Sequence, residues 1–467
     1  MMLPSLIVGS VGGGTNLPQQ KECLSLLDCA GPGNAHKLAE IIAAFCLALD
    51  ISTLSAVASD QFARAHEKLG RNRPVDWLKL SDLNLEFFSG AMESYYGSSS
   101  VSLAGMQPVT STSMGSSIVT ELTSHKINKL VGHFPYSLEL QQGECIKVMA
   151  KVKPLDQEVI LTMNSIAGMC DARLSHSFNE FKNRLGFEDC HTRELNVMSQ
   201  QDERFQKYTP ITYFQYQEPQ REAYVLVQEY LEDMEMMDTA DDTSGWTTDH
   251  ICAALQGIAE IHGIWYQQED ELRRQDFRLY EQSAQDMESK SRLWQMLAVH
   301  AVEEFPEWFS DSDLAFFNQC LQTLPQWYAE LDAMPRTLVH NDFNPRNIAF
   351  RQGIGGLTLC AYDWELAGLN VPQRDCAELL VFTLGADVTE DQVTHYIEHH
   401  RRCLQEATGT DIDPIMWRRG YQLCLWDLLI SRIPLYLMAH TFRHYGFMER
   451  VQSSLRNLIM IERSLAE

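Results

Sequence analysis

Carboxylate, amide and imidazole side chains are concentrated in residues 340–365. This stretch begins with His340-Asn341-Asp342-Phe343-Asn344-Pro345-Arg346-Asn347 and ends with Asp363-Trp364-Glu365. Phosphoryl transfer needs a carboxylate that orients or deprotonates an acceptor hydroxyl, and oxygen ligands that hold Mg²⁺ on nucleotide phosphates. Because the stretch contains both kinds of group in that order, it is predicted to be a catalytic and metal-binding centre.

Two short apolar runs, residues 348–350 and 357–361, flank a glycine-rich turn within this stretch. Such a pattern predicts a β-hairpin. The hairpin would hold Asp342 and Asn347 in a loop before its first strand. It would place Asp363 at the end of its second strand.

A lysine-bearing strand is predicted upstream, where residues 118–165 show strand patterns at 118–120, 136–140 and 145–153. Alternation places Lys147, Lys151 and Lys153 on one face. Lys151 is preferred as the lysine that neutralises nucleotide phosphates because it follows the apolar residues 148–150, with Lys153 as the alternative. Glu194, on a following helix, is the predicted partner of this lysine.

Two further segments complete the expected nucleotide site. The apolar run 223–231 predicts a buried strand that leads into an acidic loop, 232–242, where a hinge would offer backbone groups to an adenine. No G-x-G-x-x-G motif lies near the strands, and residues 129–136 are the candidate for the loop over the phosphates.

In this order, these motifs resemble the aminoglycoside phosphotransferase and choline kinase superfamily over about residues 118–465. The resemblance implies an α+β, bilobal protein-kinase-like fold with a small antiparallel β lobe and a large helical lobe, using ATP and Mg²⁺ on a hydroxyl of a small molecule. It implies these roles: Asp342 as catalytic base, Asn347 and Asp363 as metal ligands, Lys151 and Glu194 as the phosphate-binding pair, Asp375 as a structural residue and His340 as a brace of the loop.

The N-terminal residues carry a different motif. Residues 8–15 read Val-Gly-Ser-Val-Gly-Gly-Gly-Thr, a predicted strand entering a triple-glycine turn, and glycines let backbone amides approach a phosphate or a nicotinamide cofactor. Two helices are predicted next, one after Asn34 and another starting at Ser52.

Together with residues 20–23, 37–40 and 64–66, this glycine run resembles the C-terminal end of a class I hydroxymethylglutaryl-CoA reductase, over about residues 1–75. The resemblance implies an α/β fragment in which Gly12, Gly13 and Gly14 belong to the cofactor region and His66 protonates the departing CoA thiolate. The catalytic Glu, Lys and Asp of that family would lie upstream of Met1. NADPH is therefore expected as a cofactor only if the natural protein contains the complete reductase part.

Three functions remain open at this point. The preferred one is a small-molecule kinase carrying a partial reductase segment. The second is a reductase of isoprenoid metabolism with a fused kinase domain. The third is a pseudokinase binding module, with a reductase subunit or a second copy of the chain as the partner of residues 1–75.

Composition and charge narrow the class of protein. We expect domains at 1–75, 118–232 and 233–467, with a linker at 76–117. One amphipathic helix is expected at about residues 75–92, and residues 97–117 are rich in Ser, Thr and Gly, as flexible linkers are. The excess of 63 acidic over 37 basic residues gives −26, which argues against nucleic-acid binding and indicates a solvated acidic surface or an acidic pocket for a cationic substrate.

Location is inferred from cysteine usage and hydropathy. The 12 cysteines show no C-x-x-C spacing, which favours a reducing compartment. No apolar run is judged to reach the roughly 20 residues of a membrane span. The protein is therefore expected to be cytoplasmic and without a membrane partner.

The H-x-x-E-H pattern of residues 395–399 is interpreted as a solvated helix face, with a zinc site as the alternative.

Overall fold

The computed structural model describes residues 7–59, 62, 75–97, 102–109, 129–141, 143–237, 240–353 and 355–465. The chain forms two compact units, Met1–Asp76 and Trp77–Glu467. Each unit is described separately below.

The first unit is helical in its described residues, with α1 at Pro18–Leu26 and α2 at Ala35–Ala58. The predicted division of the second segment at Ser52 is wrong, because α2 continues through that residue. Neither glycine nor proline occurs in α2, so nothing in its backbone ends the helix there. The strand predicted before the glycine run falls largely on residues outside the described ranges.

Among the residues that the structure describes, two helical segments are long and apolar enough to cross a membrane by length and composition alone, namely Ala35–Ala58 and Pro414–Phe442. Of the apolar 18-residue window of each, 67% is buried in the second, as expected for a core helix, and 0% in the first. The sequence estimate missed Ala35–Ala58 because a break at Ser52 divides it into two shorter helices.

The small lobe of the second unit is a five-stranded antiparallel sheet with the order β1-β2-β3-β5-β4. Its strands are β1 Leu103–Pro108, β2 Gly132–Leu140, β3 Cys145–Val152, β4 Thr212–Glu218 and β5 Ala223–Glu229. The predicted phosphate-covering loop at 129–136 is wrong in its second half, because β2 begins at Gly132.

The predicted linker contributes to this lobe. Helix α3, Leu85–Tyr96, buries Phe88, Ala91 and Met92 in the same apolar cluster as β1, β2, β3 and β5. The amphipathic helix expected at about residues 75–92 is thus present as α3, although it begins later, at Leu85. The assignment of α3 and β1 to a linker is wrong, because both pack in the small lobe. The apolar face of α3 requires a sheet to cover it, and the Ser-rich composition after residue 97 obscured this pattern. The strand predicted at 118–120 lies outside the described residues.

Strand β3 divides its side chains between the two faces of the sheet. Val148, Ala150 and Val152 enter the cluster with α3. Lys151 lies opposite His133 of β2 and Leu226 of β5, on the other face. The alternation thus directs the lysines away from α3.

The large lobe is mostly helical and contains most of the buried apolar side chains. Four helices lie in the chain between β3 and β4, namely α4 Asp156–Cys170, α5 Ala172–Phe181, α6 Cys190–Val197 and α7 Glu203–Lys207. The helices that follow β5 are α8 Thr248–Trp265, α9 Glu269–Arg274, α10 Ala284–Ser289, α11 Ser291–Glu304, α12 Asp311–Gln322 and α13 Leu324–Asp332. The C-terminal helices are α14 Gln373–Thr383, α15 Glu390–Thr408, α16 Pro414–Asp427, α17 Ile433–Phe442 and α18 Met448–Ser464.

The predicted hairpin is present as β8, Ile348–Gly353, and β9, Gly356–Ala361. Strand β6, Met234–Met236, pairs with β8, so the segment that follows β5 joins the small lobe to the hairpin. Strands β7, Thr337–Val339, and β10, Gly368–Asn370, form a separate pair beside it. This is the predicted α+β arrangement of a small antiparallel lobe and a large helical lobe.

Candidate active site

Asp342 lies in the loop between β7 and a short 3₁₀ turn, Pro345–Asn347. Its Oδ1 accepts hydrogen bonds from Arg432 Nη2 at 2.5 Å, Tyr436 Oη at 2.8 Å and Asn344 Nδ2 at 3.0 Å. Its Oδ2 accepts from Asn347 Nδ2 at 2.9 Å. Burial opposes ionisation of Asp342, but the nearby Arg432 and the hydrogen bond from Tyr436 outweigh burial and lower the pKa of Asp342.

The backbone of this loop is held by Asp375, at the start of α14. The Asp375 carboxylate accepts from the backbone N–H groups of His340 at 2.7 Å and Asn341 at 2.8 Å. It also lies 3.0 Å from His262 Nε2. His340 Nε2 lies 2.9 Å from the carbonyl oxygen of Tyr362, so the ring connects the loop to the end of β9. These contacts fit the structural roles expected for Asp375 and His340.

Two residues of the site adopt left-handed backbone conformations, Asn341 with φ 60° and Asp363 with φ 67°. Asn and Asp tolerate this region better than other non-glycine residues, although it is still costly. Asn341 precedes Asp342, and Asp363 is a predicted metal ligand. The fold therefore maintains backbone strain at both ends of the hairpin.

Lys151 and Lys153 lie in a buried cluster with three carboxylates. Lys151 Nζ is 2.8 Å from Glu194 Oε1 and 2.5 Å from Asp363 Oδ1. Lys153 Nζ is 2.7 Å from Glu194 Oε2 and also contacts Glu365 Oε2. The predicted pair of Lys151 and Glu194 is thus in contact, and the alternative lysine shares the same glutamate.

The charges of this cluster depend on one another. Burial favours the neutral form of Asp363, but Lys151 and Lys153 lower its pKa. Burial likewise favours the neutral form of Glu194, and Lys151 and Lys153 lower its pKa. For Glu365, burial and the Asp363 charge raise the pKa despite Lys153. The lysines therefore keep Glu194 and Asp363 ionised in a buried setting.

Oxygen ligands suitable for Mg²⁺ are present on both sides of the hairpin. The Nδ2 group of Asn347 donates hydrogen bonds to Asp342, so Oδ1 is the Asn347 atom that could bind a metal ion. Asn347 and Asp363 are close, since the N–H of Tyr362 donates to the carbonyl of Asn347 at 3.1 Å. The carboxylates of Glu194, Asp363 and Glu365 lie within 4.8 Å of one another. The donor set fits the predicted metal, with Glu365 as a ligand candidate that the sequence analysis did not assign.

A cavity adjoins this cluster on the side of the large lobe. Half of its lining is polar or charged: Asp342, Asn344, Arg346, Asn347, Glu365 and Arg432. The other half consists of Met163, Phe187, Leu366, Leu435, Tyr436 and Ala439. The cavity is thus a candidate site for the acceptor, next to the carboxylate proposed to orient its hydroxyl.

Arg432 and Tyr436 are two further functional candidates that the sequence analysis missed. Arg432 ends a π-helical segment, Leu428–Arg432, between α16 and α17, and Tyr436 follows one turn later. Pro434 cannot donate a helical hydrogen bond, which favours irregular winding there, and π segments often occur at functional sites. The only signal in the sequence was this proline in a long apolar helix.

The first unit supplies part of its predicted site. Gly12, Gly13 and Gly14 have φ values of 79°, 54° and 89°, a left-handed series that favours glycine at each position. The predicted proton donor His66 lies outside the described residues. Of the residues expected from the reductase resemblance, the described ranges thus contain the glycine turn and not the histidine.

Polar side chains in residues 395–399 contact neighbouring protein groups. His399 Nε2 lies 3.1 Å from the carbonyl of Cys252, and Glu398 pairs with Arg401 at 3.0 Å. Within the described ranges, the group of carboxylate, His or Cys ligands that converges is the one around Asp363.

A small antiparallel β lobe with a buried lysine–glutamate pair is joined to a helical lobe with an Asp, Asn and Asp set, which is the kinase-like fold expected from the sequence. Residues 192–406 match the model of the phosphotransferase enzyme family. Residues 1–71 match the model of hydroxymethylglutaryl-coenzyme A reductase. Both resemblances seen in the sequence are thereby confirmed.

Curated relatives match the first unit. The 3-hydroxy-3-methylglutaryl-coenzyme A reductase of Aeropyrum pernix is 61% identical over 74 residues, covering 15% of this chain and 18% of that enzyme. Reductase 1 of Arabidopsis thaliana is 46% identical over 76 residues, covering 15% of this chain and 13% of that enzyme. The chain thus spans less than a fifth of the length of these relatives.

Solved structures that are similar include an amicoumacin kinase, 14% identical with a TM-score of 0.38, covering 71% of this chain and 86% of that one. Another is a Plasmodium vivax ethanolamine kinase, 12% identical with a TM-score of 0.39, covering 71% and 80%.

Proposed function

We propose that this protein transfers the γ-phosphate of ATP, or of GTP, to a hydroxyl group of a small molecule. The observation that carries the proposal is the convergence of two clusters: Asp342 with its four donors, and Asp363 with Lys151 and Glu194. The match of residues 192–406 to the phosphotransferase family supports it.

Each group has a distinct task in this reaction. Lys151, fixed by Glu194, would bind the α- and β-phosphates. Asp342 would accept a hydrogen bond from the acceptor hydroxyl and orient its oxygen toward the γ-phosphate. Mg²⁺ held by Asn347 and Asp363 would neutralise phosphate charge. The segment between β5 and β6 is the proposed hinge for the nucleobase.

Substitution of Asp342 tests the proposal. A panel of hydroxyl compounds with Mg²⁺-ATP is assayed for ADP release and for a phosphorylated product. Asp342→Asn should lower the turnover number by about 10²–10⁴-fold, the usual contribution of a positioned base. Binding of ATP should persist, because the lysine cluster remains intact.

Asp270→Asn is the matched control, because Asp270 is 89% exposed on α9. The control should keep full turnover. Equal turnover of Asp342→Asn and the unaltered protein would contradict the assignment. ATP binding without transfer to any acceptor would instead favour the pseudokinase alternative.

A second candidate function concerns the first unit. Of the 24 residues of α2, Leu38 is the buried one, and apolar side chains such as Phe45 and Leu49 are 67% and 68% exposed. Such a face suits burial by the rest of a reductase domain, supplied by another polypeptide or by further sequence of the same protein. Restoration of NADPH oxidation when the chain is added to a reductase lacking its own C-terminal segment would support this role.

A further inference from the structure

A second cavity lies in the large lobe, on the other side of α17 from the catalytic loop. Its volume is about 210 Å³, and Ile433 and Leu437 of α17 line it. Leu435 and Ala439 of the same helix line the cavity beside Asp342 instead. Residues four apart share a helix face, so α17 forms a wall between the two cavities. The second cavity is therefore separate from the candidate acceptor site.

The lining of this second cavity is mostly apolar and comes from α11, α12, α17, α18 and the π-helical segment before α17. Examples are Val302, Phe317, Leu429, Ile433 and Ile459. Protein interiors leave few voids larger than a water molecule. An apolar cavity of roughly 150 Å³ stays dry and accepts an apolar guest. A ligand with an aliphatic chain would thus fill this cavity favourably.

The charged groups of the lining favour a ligand with a negative charge. The polar residues are Ser312, Asp313, Gln452, Arg456 and Arg463. Asp313 is already paired, because its carboxylate lies 3.1 Å from Arg456 Nε and accepts two hydrogen bonds from Ser310. Arg463 lies over the ring of Phe316 at 4.7 Å, and in the part of the chain that the structure describes no carboxylate pairs with it. The cation left uncommitted is therefore Arg463.

A second polar group of the lining has no partner. Gln452 is only 4% exposed, and its side-chain amide makes no hydrogen bond with a described residue. A buried amide without a partner is costly, so an oxygen of a ligand would stabilise it. Gln452 and Arg463 lie three turns apart on α18, on the same face and about 16 Å from each other. Both groups thus mark an elongated binding site along α18.

We propose that this second cavity binds an elongated aliphatic carboxylate that carries a further oxygen, such as a hydroxyl group, on its chain. The carboxylate would accept hydrogen bonds from Arg463 near the solvent-exposed end of α18. The chain would extend along the apolar lining, and its hydroxyl group would bind the amide of Gln452. This site goes beyond the proposed phosphotransfer, because neither nucleotide nor Asp342 takes part in it.

The test measures binding to the full chain by calorimetric titration without nucleotide. Straight-chain carboxylic acids are compared with the primary alcohols and primary amines of equal length, below the concentrations at which they form micelles. One molecule should bind per chain, and affinity should rise about 4-fold per added methylene until the cavity is filled. The acid should bind about 10-fold or more tightly than the alcohol, because its hydrogen bonds are charge-assisted. The amine should bind most weakly.

Variants locate the two ends of the ligand. Arg463→Met should bring the acid-to-alcohol affinity ratio to near unity. Arg292→Met, at an exposed position of α11 outside the lining, is the matched control and should keep the ratio. In the unaltered protein, an acid with a hydroxyl at the far end of its chain should bind at least as tightly as the plain acid. In Gln452→Leu it should bind about 10-fold more weakly than the plain acid.

Two further variants separate this cavity from the acceptor site. Ala298→Phe, which fills the second cavity from α11, should abolish binding of acid and alcohol alike. Asp342→Asn should bind the acid as the unaltered protein does, since α17 lies between Asp342 and the second cavity.

Four outcomes would overturn the inference. They are the absence of saturable one-to-one binding, an alcohol or amine that equals the acid, an acid preference that Arg463→Met does not change, and a loss of binding in Asp342→Asn. None of them bears on phosphotransfer, because the titrations contain no nucleotide. Failure of the proposed kinase function would likewise leave this inference standing.

Discussion

At the scale of single residues, the two lysines at the end of β3 have unequal surroundings. Lys153 pairs with Glu194 and Glu365 and is 1% exposed. Lys151 pairs with Glu194 and Asp363, and Lys153 Nζ lies 3.9 Å from the same Asp363 oxygen. Without Lys151, Glu194 and Asp363 would still lie near Lys153. Without Lys153, Glu365 would lose the lysine that it contacts.

We therefore expect different defects in the two methionine variants. Lys153→Met should lower the free energy of unfolding by about 3–5 kcal/mol, the usual cost of breaking a buried pair. Lys151→Met should lose less stability but should weaken ATP binding. Denaturant unfolding and nucleotide titration of both variants distinguish these effects. Greater loss of ATP affinity in Lys153→Met would reassign the phosphate-binding lysine.

Glu378 carries a second residue-scale prediction, on pH. Burial raises its pKa from 4.5 to about 7, with Asp342 and Asp375 acting in the same direction and Arg374 and Arg432 opposing them. Between these two pH values the folded state holds a proton that the unfolded state has released. Stability from this group is therefore present below about pH 4.5 and is lost as the pH rises through 7, by on the order of 3 kcal/mol.

Glu378→Gln should thus gain stability relative to the unaltered protein as the pH rises from 5 to 8. Unfolding by denaturant at both pH values measures the difference. Glu330→Gln is the control, because Arg419 lowers the pKa of Glu330 and the group stays ionised across this range. If Glu378→Gln changes the free energy of unfolding equally at both pH values, Glu378 does not hold a proton in the folded state.

At the scale of elements, the contact between α8 and the catalytic hairpin depends on Gly257. A Cβ atom at this position would lie 2.6 Å from Leu359 Cβ and 3.0 Å from Tyr208 Cδ1. Real Cβ atoms do not approach so closely, so α8 and β9 would have to separate. Because β9 leads directly to Asp363, a shift there would also displace the predicted metal ligand.

Gly257→Ala should cost about 1–3 kcal/mol of stability and should also lower phosphotransfer. Gly90→Ala, in α3, is the matched control, since a Cβ there meets nothing within 4 Å. It should stabilise the protein by about 0.5–1 kcal/mol through its higher helix propensity. Thermal unfolding of the two variants would show opposite shifts, and a neutral Gly257→Ala would refute the tight contact.

The elements differ in how far the sequence could predict them. The hairpin and the face of β3 that carries the lysines could be predicted, because apolar and polar residues alternate over a few positions there. The predicted fold class is confirmed. Helix α2 was divided wrongly because Ser52 was given too much weight as a cap. An amphipathic helix was predicted at about residues 75–92, but α3 and β1 were assigned to a linker because only the sheet itself shows what covers them. Arg432 and Tyr436 reach Asp342 from about 90 residues away, and no local pattern records such a contact.

At the scale of the whole molecule, the described apolar clusters lie within residues 78–459. The second unit thus has its own hydrophobic cores, as an independently folding domain requires. A chain that starts at Trp77 should fold cooperatively and retain phosphotransfer within about 2-fold of the full chain. Parallel assays of the two proteins test this expectation, and loss of activity on truncation would show that the first unit contributes to the kinase-like site. The cytoplasmic location stays a prediction.

The four donors around Asp342 also affect what happens when no acceptor is bound. Arg432 and Tyr436 lower the pKa of Asp342, so its carboxylate is a weak base toward a water molecule beside the γ-phosphate. The arrangement should therefore suppress futile hydrolysis of ATP. In a cell where nucleotide is always abundant, the resting protein would remain loaded with ATP and consume it only when its acceptor arrives.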